Sequence, residues 1–264
     1  MRQVRIELSF VAAYVRANLR AALEYRVAFW GNVIAMFIND AMWVTFWIFF
    51  FDRFPAVAGY DVRDILTIWA VAAFGFGIAV GIFGNCMRFA PIVAEGRLDF
   101  YLTLPRPPLL HLLVSYMSPS AWGDAIFGIG LYALIAQPSF VELLGFLAVS
   151  LSVGAIIVAH ATLASSLAFW LGQAESIASQ IQNALIMFST YPTSLFSGLV
   201  RVLLFTAIPA GFIAYIPVRY LREWEWWQLP ATLGAALVYV ALAIVVFHLG
   251  LRRYESGNAV AMRT

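Results

Sequence analysis

Long apolar runs separated by short polar stretches make up most of the chain. Each long run can cross a bilayer, since about 20 apolar residues traverse a ~30 Å hydrocarbon core. The first extends from about Val27 to Phe51 and the second from about Ile65 to Met87. The third, Leu109–Ala136, has 28 residues. As one straight helix it would reach about 42 Å, so Pro119 is predicted to kink it or to divide an interfacial piece from the true span. The fourth, Glu142–Trp170, is also overlong and is predicted to project or tilt. The last runs from about Leu229 to Leu251. Between them, Ile177–Pro217 is too long for one crossing and is interrupted at Ser189-Thr190-Tyr191-Pro192, Pro209 and Gly211. It reads as two full spans, or as one span followed by a re-entrant hairpin over about 191–217. Broken backbone of that kind is tolerated at membrane depth where protein surrounds it.

The shorter signals place the rest. Residues 1–26 carry a short apolar run beside Arg5, Arg16 and Arg20, the pattern of an amphipathic helix lying in the interface. Asp61 and Asp64 are placed to cap the second span. Gly75, Gly77, Gly81 and Gly84 give that span a face on which a neighbouring helix can approach closely. Trp224, Trp226 and Trp227 form an interfacial anchor before the last span.

Arginine placement arbitrates the topology. With six crossings and both termini cytoplasmic, the inner segments hold eleven arginines: 2, 5, 16, 20, 26, 88, 97, 106, 252, 253 and 263. The outer loops hold Arg53, Arg63, Arg219 and Arg222, and Arg201 lies in the ambiguous region. Seven crossings would put Arg252 and Arg253 outside. The sequence therefore predicts an all-α polytopic membrane protein with six transmembrane helices and a re-entrant hairpin after span five. Residues 27–264 form one transmembrane domain.

Composition agrees, with 63% hydrophobic and 11% charged residues, where a soluble domain carries about 25% charged. All sixteen basic residues are arginine. Without lysine the chain supports neither a Walker A loop nor a pyridoxal Schiff base. Nothing points to a nucleic-acid partner; membrane lipid surrounds the chain. Cys86 is alone, and His111, His160 and His248 lack metal-ligand spacing, so no metal or cofactor is expected on this chain. Asn39 and Asp40 lie mid-span, and Asp124 lies in span three. Carboxylates at such depth are costly and so are candidates for substrate or ion contact, or for pairing between helices. Gln180 and Asn183 add a polar patch to span five. These residues are the candidate conduit. No nucleophile–base pair for an intramembrane hydrolase is found.

The remaining anomaly is the polar stretch Arg88–Pro108. Its centre, Val93–Thr103, is predicted to form one short helix bearing Glu95, Arg97 and Asp99. Flanking prolines would hold it against the membrane, either as an ordinary interfacial loop or as a knob that a soluble motor can push. The run Glu95-Gly96-Arg97-Leu98-Asp99-Phe100-Tyr101-Leu102-Thr103-Leu104-Pro105 resembles the EG-x-LD-x-YL-x-x-P stretch of type-2 ABC exporter permeases, in their small six-span bacterial branch. Tyr191-Pro192-Thr193-Ser194-Leu195-Phe196, Ile208-Pro209-Ala210, Tyr215-Ile216-Pro217 and Arg252-Arg253-Tyr254-Glu255-Ser256-Gly257 are similar to further signatures of that branch.

The resemblance implies a permease of the bacterial cytoplasmic (inner) membrane that is not itself an enzyme. It implies a second permease subunit, the same or a related chain, and two cytoplasmic ABC ATPase subunits carrying ATP and Mg. Glu95, Gly96, Arg97, Leu98, Asp99 and Pro105 would form the coupling contact with the ATPase, with the N-terminal helix beside them. Tyr191, Pro192, Pro209 and Pro217 would mark the re-entrant segment. Drug, lipid or glycan substrates moving outward are the implied class. The alternative is a self-sufficient channel or ion-coupled carrier using Asp40 and Asp124.

Overall fold

The computed structural model describes residues 2–57, 59–191 and 195–254. Among these residues no strand forms; an isolated bridge pairs Val57 with Tyr60. The helices are α1 (Arg2–Glu24), α2 (Arg26–Arg53), α3 (Val62–Ile82), α4 (Phe89–Ala94), α5 (Asp99–Leu102), α6 (Pro108–Val114) and α7 (Ala121–Ala136). They continue with α8 (Phe140–Ser166), α9 (Ala168–Leu171), α10 (Glu175–Ser189), α11 (Gly198–Leu203), α12 (Ile216–Glu223) and α13 (Gln228–Leu251). A 3-10 turn at Gly84–Arg88 ends α3, and a π turn at Gly211–Tyr215 precedes α12.

Four segments are long and apolar enough to cross a membrane: α2, α3, α8 with α9, and α13; α7 is a shorter apolar helix of 16 residues. The hub is α3, packed between α7 and α8. In its most apolar stretch 72% of positions are buried, against 17% in α2 and 22% in α13. Glycine permits this closeness. A Cβ on Gly128 would sit 2.5 Å from the Phe74 nitrogen, and one on Gly75 would sit 2.9 Å from the Ser150 carbonyl oxygen. A Cβ on Gly77 would collide with the Ala125 backbone. Gly81 is different, because a Cβ there meets the Trp122 ring and the Ala121 methyl at ordinary distance.

Helix starts follow local chemistry. The Asp64 backbone N–H donates to the Asp61 carboxylate at 2.9 Å, and the Asp61 N–H donates back to Asp64 at 3.1 Å. Ser139 and Glu142 form the same reciprocal cap on α8, which satisfies donors that a helix start otherwise leaves open.

The third apolar run is divided, as Pro119 predicts. The break between α6 and α7 is filled by the end of α3. The Gly84 N–H donates to the Tyr116 carbonyl at 3.0 Å, and the Ser118 N–H donates to the Val80 carbonyl at 3.3 Å. Asn85 donates to the Leu112 carbonyl and to Ser115, at 2.9 and 2.8 Å. Broken backbone is thus paired within the protein, the condition for surviving away from water.

Three boundaries differ from the sequence reading. Span two ends as an α-helix at Ile82, because the chain turns there to meet Tyr116. The centre of the polar stretch is two short helices, α4 and α5, and the first starts at Phe89. Between α9 and α13 the described residues form one helix of 15 residues, α10, and then only short helices.

Candidate functional site

The Arg88–Pro108 stretch is polar outside and apolar beneath. Phe89, Ile92, Val93 and Leu98 are buried in a cluster with Leu112, Ala168 and Phe247. The chain reverses between α4 and α5 at Gly96, whose φ of +72° suits glycine. The Gly96 N–H donates to the Val93 carbonyl, and the Arg97 N–H donates to the Ile92 carbonyl at 3.0 Å, so the spent helix end is closed. This turn presents Glu95 and Arg97 outward, each 57% exposed and ion-paired at 2.6 Å. Pro105 is exposed. Asp99 lies against Tyr254 of the C-terminal signature, and burial together with that carboxylate pushes the Tyr254 phenol above its ordinary pKa.

Helix α1 is fastened to the same structure. The Tyr14 hydroxyl and His111 Nε2 are hydrogen-bonded at 2.5 Å, and Asn18 donates to the Val114 carbonyl at 3.1 Å. Phe10 packs edge-on against His111, with the Arg106 guanidinium 5.0 Å above its ring. Tyr101 also packs edge-on against His111 and hydrogen-bonds Ser115 at 2.9 Å. Burial, with Tyr101 beside it, raises the Tyr14 pKa. Phe10, Tyr14 and Asn18 lie at helical spacing on one face of α1, while Arg5, Arg16 and Arg20 are exposed. Helix α1 and the polar loop therefore form one platform around His111.

The structure joins Asp40 to Asp124. They are 3% and 4% exposed, on α2 and α7, and their carboxyl groups are hydrogen-bonded to each other. Asp40 Oδ2 accepts from no N–H or hydroxyl among the described residues. A cavity of about 290 Å³ opens beside the pair, lined also by Asn39, Trp43, Trp69 and Phe76, with Ser189 and Thr190 from α10. Trp43 and Trp69 stack with ring centroids 5.8 Å apart and planes at 21°.

Gln180 and Asn183 do not reach this cavity. They are exposed on another face of α10, where they line a separate depression with Tyr191 and Phe196. Their neighbour Gln182 turns inward to donate to Ser165 at 3.1 Å. The Tyr191 ring lies edge-on to Trp47 at 5.8 Å. Pro209 and Pro217 are buried on either side of the π turn. Pro192, with Thr193 and Ser194, lies outside the described residues, as does the tail beyond Tyr254. Arg201 is exposed. Among the described residues no group of His, Cys, Asp and Glu is gathered to hold a metal ion.

Sequence reasoning missed the Tyr14–His111 link, the Trp43–Trp69 stack and the ion pair from Arg222 to Asp64 at 2.8 Å. Only the tryptophan had a local signal: Trp43 follows Asp40 by three residues and so shares its helix face.

The model of a known family, described as ABC-2 family transporter protein, matches residues 37–258. No curated protein and no solved structure matches the chain. The match covers most of the chain, including the carboxyl pair, the polar loop and the Tyr254 signature. The chain belongs to the ABC-2 family of transporter proteins and is a membrane permease component of an ABC transporter.

Proposed function

We propose that this chain is the permease subunit of an ATP-driven exporter of the bacterial cytoplasmic membrane. Six crossings would come from α2, α3, α7, α8, α10 and α13, with both termini cytoplasmic. The stretch from Tyr191 to Pro217 would re-enter the outer leaflet. Two permease chains, identical or related, would pair with two ATPase subunits that hold ATP and Mg. Nucleotide would act through its differential affinity for the inward- and outward-open states.

The observation that carries this reading is the platform. An exposed Glu95–Arg97 tip stands on a buried apolar foot that is continuous with α3 on one side and with α6 on the other. A push on the tip is transmitted because its underside is packed rather than solvated. The family as a whole works with ABC ATPases, and a chain without lysine needs its P-loop supplied by a partner.

The test is reconstitution with the ATPase that copurifies from native membranes. Glu95→Arg is expected to leave the complex folded and hydrolysing ATP while transport is lost. If no ATPase copurifies and the purified chain alone moves solute in liposomes without ATP, the exporter reading fails. The ion-coupled carrier built on Asp40 and Asp124 then takes its place.

A further inference from the structure

We propose that the cavity between α2, α3, α7 and α10 is a binding site for a lipophilic organic cation carrying a single positive charge. That such a cation is the exported substrate rests on the exporter reading above; that it binds here rests on the cavity alone.

Four observations converge. First, the pair Asp40–Asp124 is built and buried, yet no cation answers it. The lining residues include no arginine and no histidine. A hydrogen bond between two carboxyl groups needs a proton on one of them. When the other group is ionised, no cation among the lining residues neutralises it. Second, Asp40 Oδ2 is buried and accepts from no backbone N–H, side-chain N–H or hydroxyl among the described residues. Leaving such an atom unpaired is costly, so it fits a group that a ligand will meet. Third, the walls are aromatic. Trp43 and Trp69 stack beside the carboxyls and Phe76 adds another ring. Ring faces attract cations, and do so more strongly where water is excluded. Fourth, the cavity is not closed: its lining residues Trp43 of α2 and Ile186 of α10 are 43% and 38% exposed. Apolar substituents of a ligand can lie along that opening.

Size and chemistry narrow the class. About 290 Å³ is near the small end of ligand pockets, too little for a glycan chain. A hard metal dication is disfavoured, since calcium takes about 6–8 oxygen ligands and this lining is mostly hydrocarbon and aromatic rings. Asp40, on the middle of α2 with its Oδ2 buried at the cavity, is assigned as the direct contact, and Asp124, in the first turn of α7, positions it.

The experiment uses the full-length permease in lipid nanodiscs without ATPase. Methyltriphenylphosphonium is the probe, with triphenylethane as its neutral isostere, in equilibrium dialysis against empty nanodiscs. Saturable binding of the cation and none of the isostere is expected. Asp40→Asn is expected to weaken binding by roughly tenfold or more, as for loss of a charge-assisted contact. Trp43→Ala, at a half-exposed position, is expected to weaken it several-fold. Equal binding of cation and isostere, or wild-type affinity in both variants at unchanged thermal midpoint, overturns the site. Should Asp40→Asn misfold, the Trp43→Ala result decides alone. The two readings fail separately. Cation binding without ATP-driven movement in the reconstituted complex sinks the exporter reading and leaves the site. ATP-driven transport of other solutes by a permease that binds no cation does the reverse.

Discussion

Leu98 and Glu95 lie three residues apart in the same loop and do opposite things. Leu98 is fully buried beneath the platform, and Glu95 is exposed on its tip. Leu98→Ala is expected to destabilise the protein by about 2–5 kcal/mol, the usual range for a buried leucine, seen as a lower thermal unfolding midpoint. Glu95→Ala is expected to leave the midpoint unchanged, because a surface ion pair contributes only about 0–1 kcal/mol. A midpoint that falls with Glu95 rather than Leu98 would mean that the loop is anchored by its charges. Residue types foretold half of this. Charge and glycine marked the tip, but nothing local distinguishes Leu98, which is buried by residues from α6, α9 and α13 that one sequence cannot pair with it. The same limit hid the Asp40–Asp124 contact. Each aspartate was conspicuous alone, and their meeting depends on how α7 crosses α2.

At the scale of elements, the helices that matter are held by close approach and by pins. Gly77→Ala puts a methyl group against the Ala125 backbone. It is expected to cost about 1–3 kcal/mol, as overpacking does, read as a lower unfolding midpoint; an unchanged midpoint would mean that α3 and α7 separate easily. The pin between α1 and α6 is polar. Tyr14→Phe removes one hydrogen bond and is expected to cost about 0.5–1.5 kcal/mol. Hydrogen exchange should rise over residues 5–20 and stay unchanged over α8; uniform protection would place the anchor of α1 elsewhere. The apolar runs made α2, α3, α8 and α13 legible, and Pro119 made the break in the third run legible. The two-helix form of the loop was not, since both pieces are shorter than the window over which periodicity speaks. Nor was the shortness of α10, because its apolar continuation past Ser189 is made of separate short helices.

For the whole molecule the testable quantity is sidedness. Cys86 is fully buried, so it gives little background for thiol labelling from water. Arg97→Cys and Trp226→Cys place single thiols at positions that are 57% and 81% exposed. A membrane-impermeant maleimide is expected to label the Trp226→Cys protein in intact cells and the Arg97→Cys protein only after permeabilisation. The opposite pattern would invert the topology and remove the loop from reach of an ATPase.

The short seventh helix carries a consequence for how the protein is made. At 16 residues it extends about 24 Å, less than the ~30 Å hydrocarbon core it would cross in the proposed topology, and it carries a carboxylate in its first turn. Such a segment is a poor candidate for independent entry into lipid. Its two contact faces are glycines, Gly123 against α2 and Gly128 against α3, so it has value only as the third member of a bundle. In that topology the entry of α7 into the membrane is expected to depend on α2 and α3, the surfaces its glycines fit, so that uptake into protein rather than release into lipid would complete its insertion.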